Sequence, residues 1–316
     1  MLPPTKTNIL RLPPRAKFDV VPASQFTVQT LTDIYNDTRT DYIVPMPMNV
    51  AKMQAYIDHY DVDLSQSAVA VSEEGFLGLG MLGVREDRTW ITRLGVTPNG
   101  RQKGVGRRLM DTLLQNSQHL KAQAIILEVI KDNTPAHTMF KSFGFQLTRE
   151  LLVIRRPPKP IQAVVANIPN LQTLDHPQTV HLLATRTDVS SWVSATPSMQ
   201  NAGNLSALLA PGQGWVAYQN TPFQLGRVVL QTEPGASLET ATMLLQALHL
   251  QYPYQDTLIE NLAADNKYWS VFEALEYLIS FVRVEMVLDL AKSKAPYDNR
   301  AVPTVEAVAS TMLEPC

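Results

Sequence analysis

The sequence predicts a mixed α/β protein, in which a mostly antiparallel central sheet is flanked by helices and the same order of elements occurs twice. Short apolar runs of strand type alternate with amphipathic helical segments from residue 17 to residue 156. A similar order recurs in weaker form between residues 177 and 290. Asp132 and Asp265, each followed by Asn, fall at matching places 133 residues apart, which indicates an internal repeat.

The predicted elements of the first half follow its apolar periodicity and its proline and glycine breaks. They are a strand over Lys17–Val21, helices over Gln25–Asn36 (with Ser24 as N-cap) and Asn49–Tyr60, strands over Gln66–Ser72, Phe76–Val84 and Thr89–Val96, a helix after Gly106, a strand over Ala124–Ile130, a helix from Thr134, and a strand over Leu147–Ile154.

The run Arg156–Pro160 combines proline with charge and predicts a stiff linker. It divides the chain into a domain over residues 1–156 and a second domain over residues 161–316. The elements predicted for the second domain are helices over Pro177–Thr187, Leu238–Leu250 and Tyr268–Tyr277, and strands over Gly214–Gln219, Gln224–Gln231, Asp256–Ala263 and Val282–Leu290.

Composition excludes several classes of protein. The formal net charge of −2 argues against a general nucleic-acid binder, which carries a basic excess. A single cysteine, Cys316, allows no disulfide within the chain, and no apolar run approaches the roughly 18 residues of a membrane span. The N-terminal residues lack a signal-peptide pattern, so we expect a cytoplasmic protein that acts on no membrane. The six histidines form no metal-ligand pattern, and we predict no metal.

The most informative segment runs from Arg101 to Gly106, between a predicted strand and a predicted helix. A helix N-terminus offers free N–H groups to an anion, and glycine lets the backbone approach a phosphate closely. A Walker loop fits poorly, because Arg101-Gln102 follows the glycine pair Gly95 and Gly100 instead of Lys-Ser/Thr. A tight turn before a basic helix is the alternative reading of the same glycines.

The ordered motifs resemble the GNAT superfamily of N-acetyltransferases over about residues 17–156. They are Leu94-Gly-Val96, Arg101-Gln-Lys-Gly-Val-Gly-Arg107, Leu127-Glu-Val129, Asn133, Ala136 and Phe143-Gly-Phe145. The resemblance implies a GNAT fold repeated twice, with acetyl-CoA as co-substrate. It also implies a gap between the strand ending near Val96 and the strand Ala124–Ile130, in which the thioester lies. The implied cofactor-binding residues are Leu94, Gly95, Val96, Arg101, Gln102, Lys103, Gly104, Val105, Gly106, Arg107, Asn133 and Phe140.

The resemblance also suggests catalytic groups. Glu128 falls where some members of the family place a general base, although a strand carboxylate that only bonds its neighbours is an equal alternative. The usual tyrosine acid is replaced by Phe140, which cannot donate a proton, so water, Tyr42 or His137 would have to protonate the thiolate. Tyr42 lies with Met46 and Met48 in a loop that the resemblance places over the acceptor pocket. Glu86 and Asp87 occupy a turn that borders the acceptor site or is simply solvated.

The second half lacks the cofactor motif. Thr232–Ser237 replaces the glycine-rich loop and carries an acid, Glu233, so we expect a degenerate domain that has lost cofactor binding. Its tryptophans, Trp192, Trp215 and Trp269, line a shared cleft or belong to the core.

The sequence therefore predicts an N-acyltransferase that moves an acetyl group to a primary amine. The acceptor is a protein or, slightly favoured, a small molecule. A CoA-binding regulatory module is the alternative, and a second domain that serves as a dimerisation scaffold, through its last strand or the tail 291–316, is a third. The protein is a monomer or a homodimer.

Overall fold

The computed structural model describes residues 18–161 and 170–291, and the predictions for Lys17, Cys316 and most of the tail lie outside these residues. The helices are α1 Val28–Thr38, α2 Val50–His59, α3 Val105–His119, α4 Thr134–Ser142, α5 His176–Leu183, α6 Thr196–Ala202, α7 Leu238–Gln251 and α8 Trp269–Ala274. The strands are β1 Asp19–Pro22, β2 Ala68–Ser72, β3 Gly75–Arg85, β4 Arg88–Val96, β5 Ala124–Ile130, β6 Gln146–Arg156, β7 Gln172–Leu174, β8 Leu205–Ala210, β9 Gly214–Asn220, β10 Gln224–Thr232, β11 Asp256–Ala263 and β12 Leu278–Asp289.

Helix α1 begins later than predicted. Its N-cap is Thr27, whose hydroxyl accepts a hydrogen bond from the backbone N–H of Thr30. Ser24, the predicted N-cap, lies instead in a short 3₁₀ turn over Ala23–Gln25. Strands β7 and β8 and helix α6 were not predicted. Each spans seven residues or fewer, which is too short to show a clear period.

All the strands form one sheet in the order β1-β2-β3-β4-β5-β12-β6-β11-β10-β9-β8-β7. Two neighbouring pairs are parallel, β4 with β5 and β10 with β11, and the others are antiparallel. The predicted fold class, a mixed but mostly antiparallel sheet flanked by helices, is therefore confirmed. From one edge of the sheet β1 to β5 lie in chain order, and from the other edge β7 to β11 do the same, with β12 and β6 between them. This symmetry is expected for two halves with the same order of elements.

The two halves exchange their last strands. β12, from the second half, lies between β5 and β6, and pairs Glu285 with Glu128. β6, from the first half, lies between β12 and β11, and pairs Ile154 with Ile259. The sheet is thus continuous from one half to the other, and the division into residues 1–156 and 161–316 stays a prediction.

The tryptophans belong mainly to the core. Trp192 is buried and stacks on Trp90, with ring centres 5.7 Å apart and planes at 14°. Its indole N–H donates to the carbonyl of Tyr60 at 2.9 Å, so a loop of the second half is anchored in the core of the first. Trp215 is also buried, and Trp269 packs at the edge of the second-half core.

Candidate active site

A gap opens between β4 and β5. Their parallel pairing runs from Arg88 opposite Ala124 to Ile91 opposite Leu127, and then stops. Just beyond, Arg93 has a φ of 51°, and the register between β3 and β4 shifts, so the strand bulges. Residues 92–96 and 128–130 therefore face each other without ladder bonds, and this is the gap implied by the resemblance.

The loop before α3 opens onto this gap. Gly104, the N-cap of α3, has a φ of 80°, and a Cβ there would meet nothing within 4 Å, so conformation rather than space favours glycine. Because glycine has no side chain to cap the helix, the first N–H groups of α3 stay available to a ligand. A Cβ on Gly106 would lie 3.4 Å from Val96 and 3.7 Å from Met139, which shows that β4, α3 and α4 converge here.

Basic side chains surround the loop. Arg101 makes a bidentate ion pair with Asp41, with N–O distances of 2.6 and 2.5 Å, and this bond lowers the pKa of Asp41. The predicted cofactor loop is thereby tied to the connection between α1 and α2. The guanidinium of Arg107 lies 5.1 Å from the centre of the Phe143 ring, while Lys103 is exposed.

A small cavity of about 70 Å³ lies where β4 and β5 separate. It contains both predicted catalytic residues, Glu128 and Tyr42, and also Met46 from the predicted acceptor loop. Met48 packs against the core instead. The lining residues are Arg39, Tyr42, Met46, Trp90, Thr92, Arg93, Glu128, Ile130 and Arg283.

Glu128 is a buried carboxylate with one satisfied oxygen. Its side chain is 5% exposed, and its Oε2 accepts a hydrogen bond of 2.6 Å from Asn261. Oε1 is buried and has no hydrogen-bond partner among the described residues. Burial raises the pKa of Glu128 to about 7, opposed by the charge of Arg283, 4.0 Å away, and by the Asn261 bond. Near neutral pH the carboxyl can therefore accept a proton.

Sequence reasoning missed Asn261 and Arg283, both supplied by the second half. The repeat could have identified Asn261, which follows Glu128 by 133 residues, the spacing of Asp132 and Asp265. Arg283 carries no such signal. It donates to Glu260 at 2.9 Å and to the side-chain oxygen of Asn261 at 2.8 Å.

Tyr42 and Asn133 also meet. The Asn133 amide donates to the Tyr42 hydroxyl at 3.4 Å, while its Oδ1 caps α4 by accepting from the N–H of Ala136. Phe140 lies in the core beside Phe145. His137 approaches the carbonyl of Ile130 at 3.3 Å and is not part of the cavity wall.

Residues 30–145 match the family model described as the acetyltransferase (GNAT) family. The first half of the chain carries a GNAT acetyltransferase domain. A curated relative, the spermine/spermidine N(1)-acetyltransferase of Bacillus subtilis (strain 168), is 27% identical over 88 residues. That match covers 25% of this chain and 58% of the relative, so the chain spans less than two thirds of the relative's length.

Solved structures extend the likeness to both halves. A tandem GNAT protein from the clavulanic acid biosynthesis pathway has a TM-score of 0.62 at 16% identity, covering 89% of this chain and all of that one. A GCN5-related N-acetyltransferase from Sphaerobacter thermophilus has a TM-score of 0.63 at 14% identity. The match covers 89% of this chain and 97% of that protein. At such identities the likeness concerns the fold, which is that of a tandem GNAT protein.

The second half has its own gap beside the GNAT domain. The pairing of β10 with β11 ends at Gly226 opposite Leu258, and a cavity of about 880 Å³ opens there. Glu260 and Asn261 are part of its wall, so Asn261 contacts the large cavity on one side and Glu128 on the other. Glu233, in the loop before α7, is exposed.

The remaining predicted features lie away from the cavities. Asp87 pairs with Arg88 at 3.1 Å, at the opposite end of β4 from the cofactor loop, and Glu86 is not in either cavity wall. Within residues 18–161 and 170–291, no group of three or more His, Cys, Asp or Glu side chains could hold a metal ion. No helix in that part of the chain is both long and apolar enough to cross a bilayer.

Proposed function

We propose that this protein is an acetyl-CoA-dependent N-acyltransferase, in which a primary amine attacks the acetyl group directly. The supporting observation is the placement of Glu128, a buried carboxyl whose pKa is raised to about 7, in a cavity at the gap between β4 and β5. A general base is most effective when its pKa lies near the working pH. Residues 1–156 are the acetyl-CoA-binding domain, and residues 161–316 are a degenerate domain that holds no cofactor.

The loop and the gap fit acetyl-CoA. The free N–H groups at the start of α3, with Gln102, Lys103, Gly104, Val105, Gly106 and Arg107, would hold the pyrophosphate, and Arg101 would join them on leaving Asp41. The unpaired edge of β4 at Leu94, Gly95 and Val96 would bond the pantetheine arm, with Asn133 beside it. Phe140, buried behind α4, stays a predicted contact. Acetyl-CoA supplies an acyl group that is already activated as a thioester.

Two side chains of the protein then transfer the protons of the reaction. Ionised Glu128 takes a proton from the amine, because only the neutral amine is nucleophilic. Tyr42, whose hydroxyl lies 3.4 Å from the Asn133 amide, donates a proton to the departing sulfur. A thiol has a pKa of about 8.5, so the sulfur leaves without a strong acid. The loss of tyrosine at position 140 is thus tolerable.

The acceptor is a small molecule rather than a protein. The Bacillus relative acts, by its name, on spermine and spermidine, which are small amines. The cavity beside Glu128 is also small, about 70 Å³, and is covered by the loop that carries Tyr42 and Met46. We place the protein in the cytoplasm, as a monomer or homodimer, without nucleic-acid or membrane partners and without a metal.

A CoA-binding regulatory module is the second candidate, favoured by the replacement of the usual tyrosine by Phe140 in the core. Calorimetric titration with acetyl-CoA, followed by thiol release over a panel of amines, separates the two. Binding at one site per chain with amine-dependent release supports the enzyme, and binding without release supports the regulatory module. The Gly104→Glu variant, which adds bulk and negative charge to the loop, should lose binding. Retained binding by that variant would refute the cofactor site.

A further inference from the structure

The small cavity has an excess of positive charge. Its wall contains three guanidiniums and one carboxylate, Glu128. The charge of Arg283 is matched, because this residue donates to Glu260 at 2.9 Å. Arg39 and Arg93 form no such ion pair, although the charge of Glu260 attracts Arg93 at longer range. Among the described residues, no carboxylate lies within 4.0 Å of either guanidinium.

Neutral groups hold these two arginines in place. Arg39 donates to the carbonyl of Leu94 at 3.2 Å, and its guanidinium carbon lies 4.1 Å from the centre of the Tyr42 ring. Arg93 donates to the Tyr35 hydroxyl at 3.0 Å and lies 4.0 Å from the centre of the Tyr56 ring. The Nε atoms of both are buried and have no hydrogen-bond partner in the described structure. Buried donors of this kind are costly unless a ligand completes them.

We propose that the acceptor is an amino acid or a similar small amine with an adjacent carboxylate, and that Arg39 and Arg93 bind this carboxylate while its amine faces Glu128. The inference rests on the proposed function and names its substrate class. Guanidinium groups bind carboxylates strongly, because charge-assisted hydrogen bonds are stronger than neutral ones. The ligand would supply the anion that the cavity lacks.

The size of the cavity agrees with this class. A cavity of about 70 Å³ has room for several water-sized groups, which suits the head group of a small amino acid. A polyamine fits the charge poorly. A polyamine brings two or more ammonium groups toward two guanidiniums that have no carboxylate partner within 4.0 Å. Burial leaves Glu128 only partly ionised near neutral pH, so its charge offsets this repulsion only in part.

Matched acceptor pairs test the proposal. The rate of thiol release from acetyl-CoA is measured with glycine and glycinamide, with L-methionine and L-methioninamide, and with spermidine. Each amide keeps the amine and the side chain and removes only the carboxylate charge. We expect kcat/KM to be at least about tenfold higher for each amino acid than for its amide, the smallest effect of a lost charged hydrogen bond. Equal or faster turnover of the amides or of spermidine would overturn the proposal.

A variant of Arg39 tests whether this arginine causes the preference for acceptors with a carboxylate. Arg39→Gln should raise the KM for the amino acids about 10–100-fold and affect the amides much less, so that the preference for each amino acid over its amide is largely lost. Arg88→Gln, which removes an exposed arginine paired with Asp87, is the matched control and should behave as the wild type. Calorimetric titration with L-methionine, with and without Arg39, gives a readout that does not need turnover. Arginine-dependent binding without thiol release would support the carboxylate site and refute the acyltransferase, whereas binding unaffected by Arg39→Gln would refute the site.

Discussion

The side-chain amide of Asn261 lies 2.6 Å from Oε2 of Glu128, and the two residues are 133 residues apart, the spacing of Asp132 and Asp265. Asn261 has a φ of 60° at a bulge in β11, where the pairing with β6 shifts register. An amide of the second half thus holds the carboxyl of the first. In the proposed mechanism, the second half therefore positions the general base of the first half.

Removing this amide should shift the pH dependence of the reaction. The bond from Asn261 stabilises the ionised carboxylate, so Asn261→Ala should raise the pKa of Glu128 above its value of about 7. A base acts when it is deprotonated, so activity rises with pH through its pKa. The acidic limb of the kcat/KM profile should move to higher pH, and the rate at pH 7 should fall.

Two further variants make this test specific. Asn220→Ala, at an exposed position of β9, should leave the acidic limb where it is. Glu128→Gln should lower kcat by about 10²–10⁴ and abolish the limb. A profile for Asn261→Ala that coincides with the wild type would show that the bond does not tune the base.

Asp41→Asn should tighten the binding of acetyl-CoA. Asp41 neutralises Arg101 through two hydrogen bonds, and both side chains are exposed. Once Asp41 is neutral, the guanidinium of Arg101 is free to attract the phosphates of the cofactor. Salt weakens this attraction, because the Debye length is about 10 Å at 0.1 M ionic strength. The KM for acetyl-CoA should fall only about 2–5-fold at low ionic strength, since exposed ion pairs are weak. Asp33→Asn on α1 is the control, and an unchanged KM at low salt would contradict the idea.

His249 should make the protein sensitive to acid. It is buried, its Nε2 lies 2.8 Å from the Tyr277 hydroxyl, and burial lowers its pKa from 6.5 to about 3. As the pH falls, His249 is protonated in the unfolded chain before it is protonated in the folded protein. The stability that the neutral, buried His249 provides is therefore full above pH 6.5 and is lost as the pH falls toward 3. The loss is about 1.4 kcal/mol per pH unit.

Urea denaturation between pH 7 and pH 4.5 measures this effect. His249→Gln removes the titrating group, so its unfolding midpoint should decline less steeply than that of the wild type. Glu128 acts with the opposite sign, because its raised pKa reduces stability as pH rises from 4.5 to 7, but it is present in both proteins and cancels. His119→Gln, at an exposed site, should follow the wild type. Parallel curves for His249→Gln and the wild type would exclude His249 as the source.

Trp192→Ala should destabilise the fold strongly. The indole stacks on Trp90, lies 4.1 Å from the guanidinium carbon of Arg85 and leaves no space beside Gly83. Loss of so large a buried ring costs about 3–5 kcal/mol. The free energy of unfolding from urea titration should show this loss, whereas Phe223→Ala, at a ring 85% exposed, should change it by less than about 0.5 kcal/mol. A small effect at Trp192 would mean that the two halves are joined mainly through the sheet.

Local sequence was sufficient to predict much of the fold and the position of the loop before α3. β11 has the predicted bounds, and the loop at Arg101–Gly106 leads into α3 as expected, because its residues are contiguous and its glycines have a local requirement. The neighbours of Glu128 were not predictable in this way. Arg283 reaches Glu128 because β12 pairs with β5, whereas Asn261 lies on β11, which pairs with β6. Nothing in an aliphatic run such as β6 or β12 shows which strand it will join.

The position of β12 has a consequence for synthesis on the ribosome. β5 pairs with β4 on one side, but it obtains its second neighbour only when residues 278–289 have been translated, although the first half is otherwise encoded before residue 157. Until then a nascent chain presents an unpaired strand edge, to which a second nascent chain can add. We therefore expect a nascent chain that ends before residue 278 to lack both the strand beside β5 and the Arg283 side chain in the wall of the small cavity.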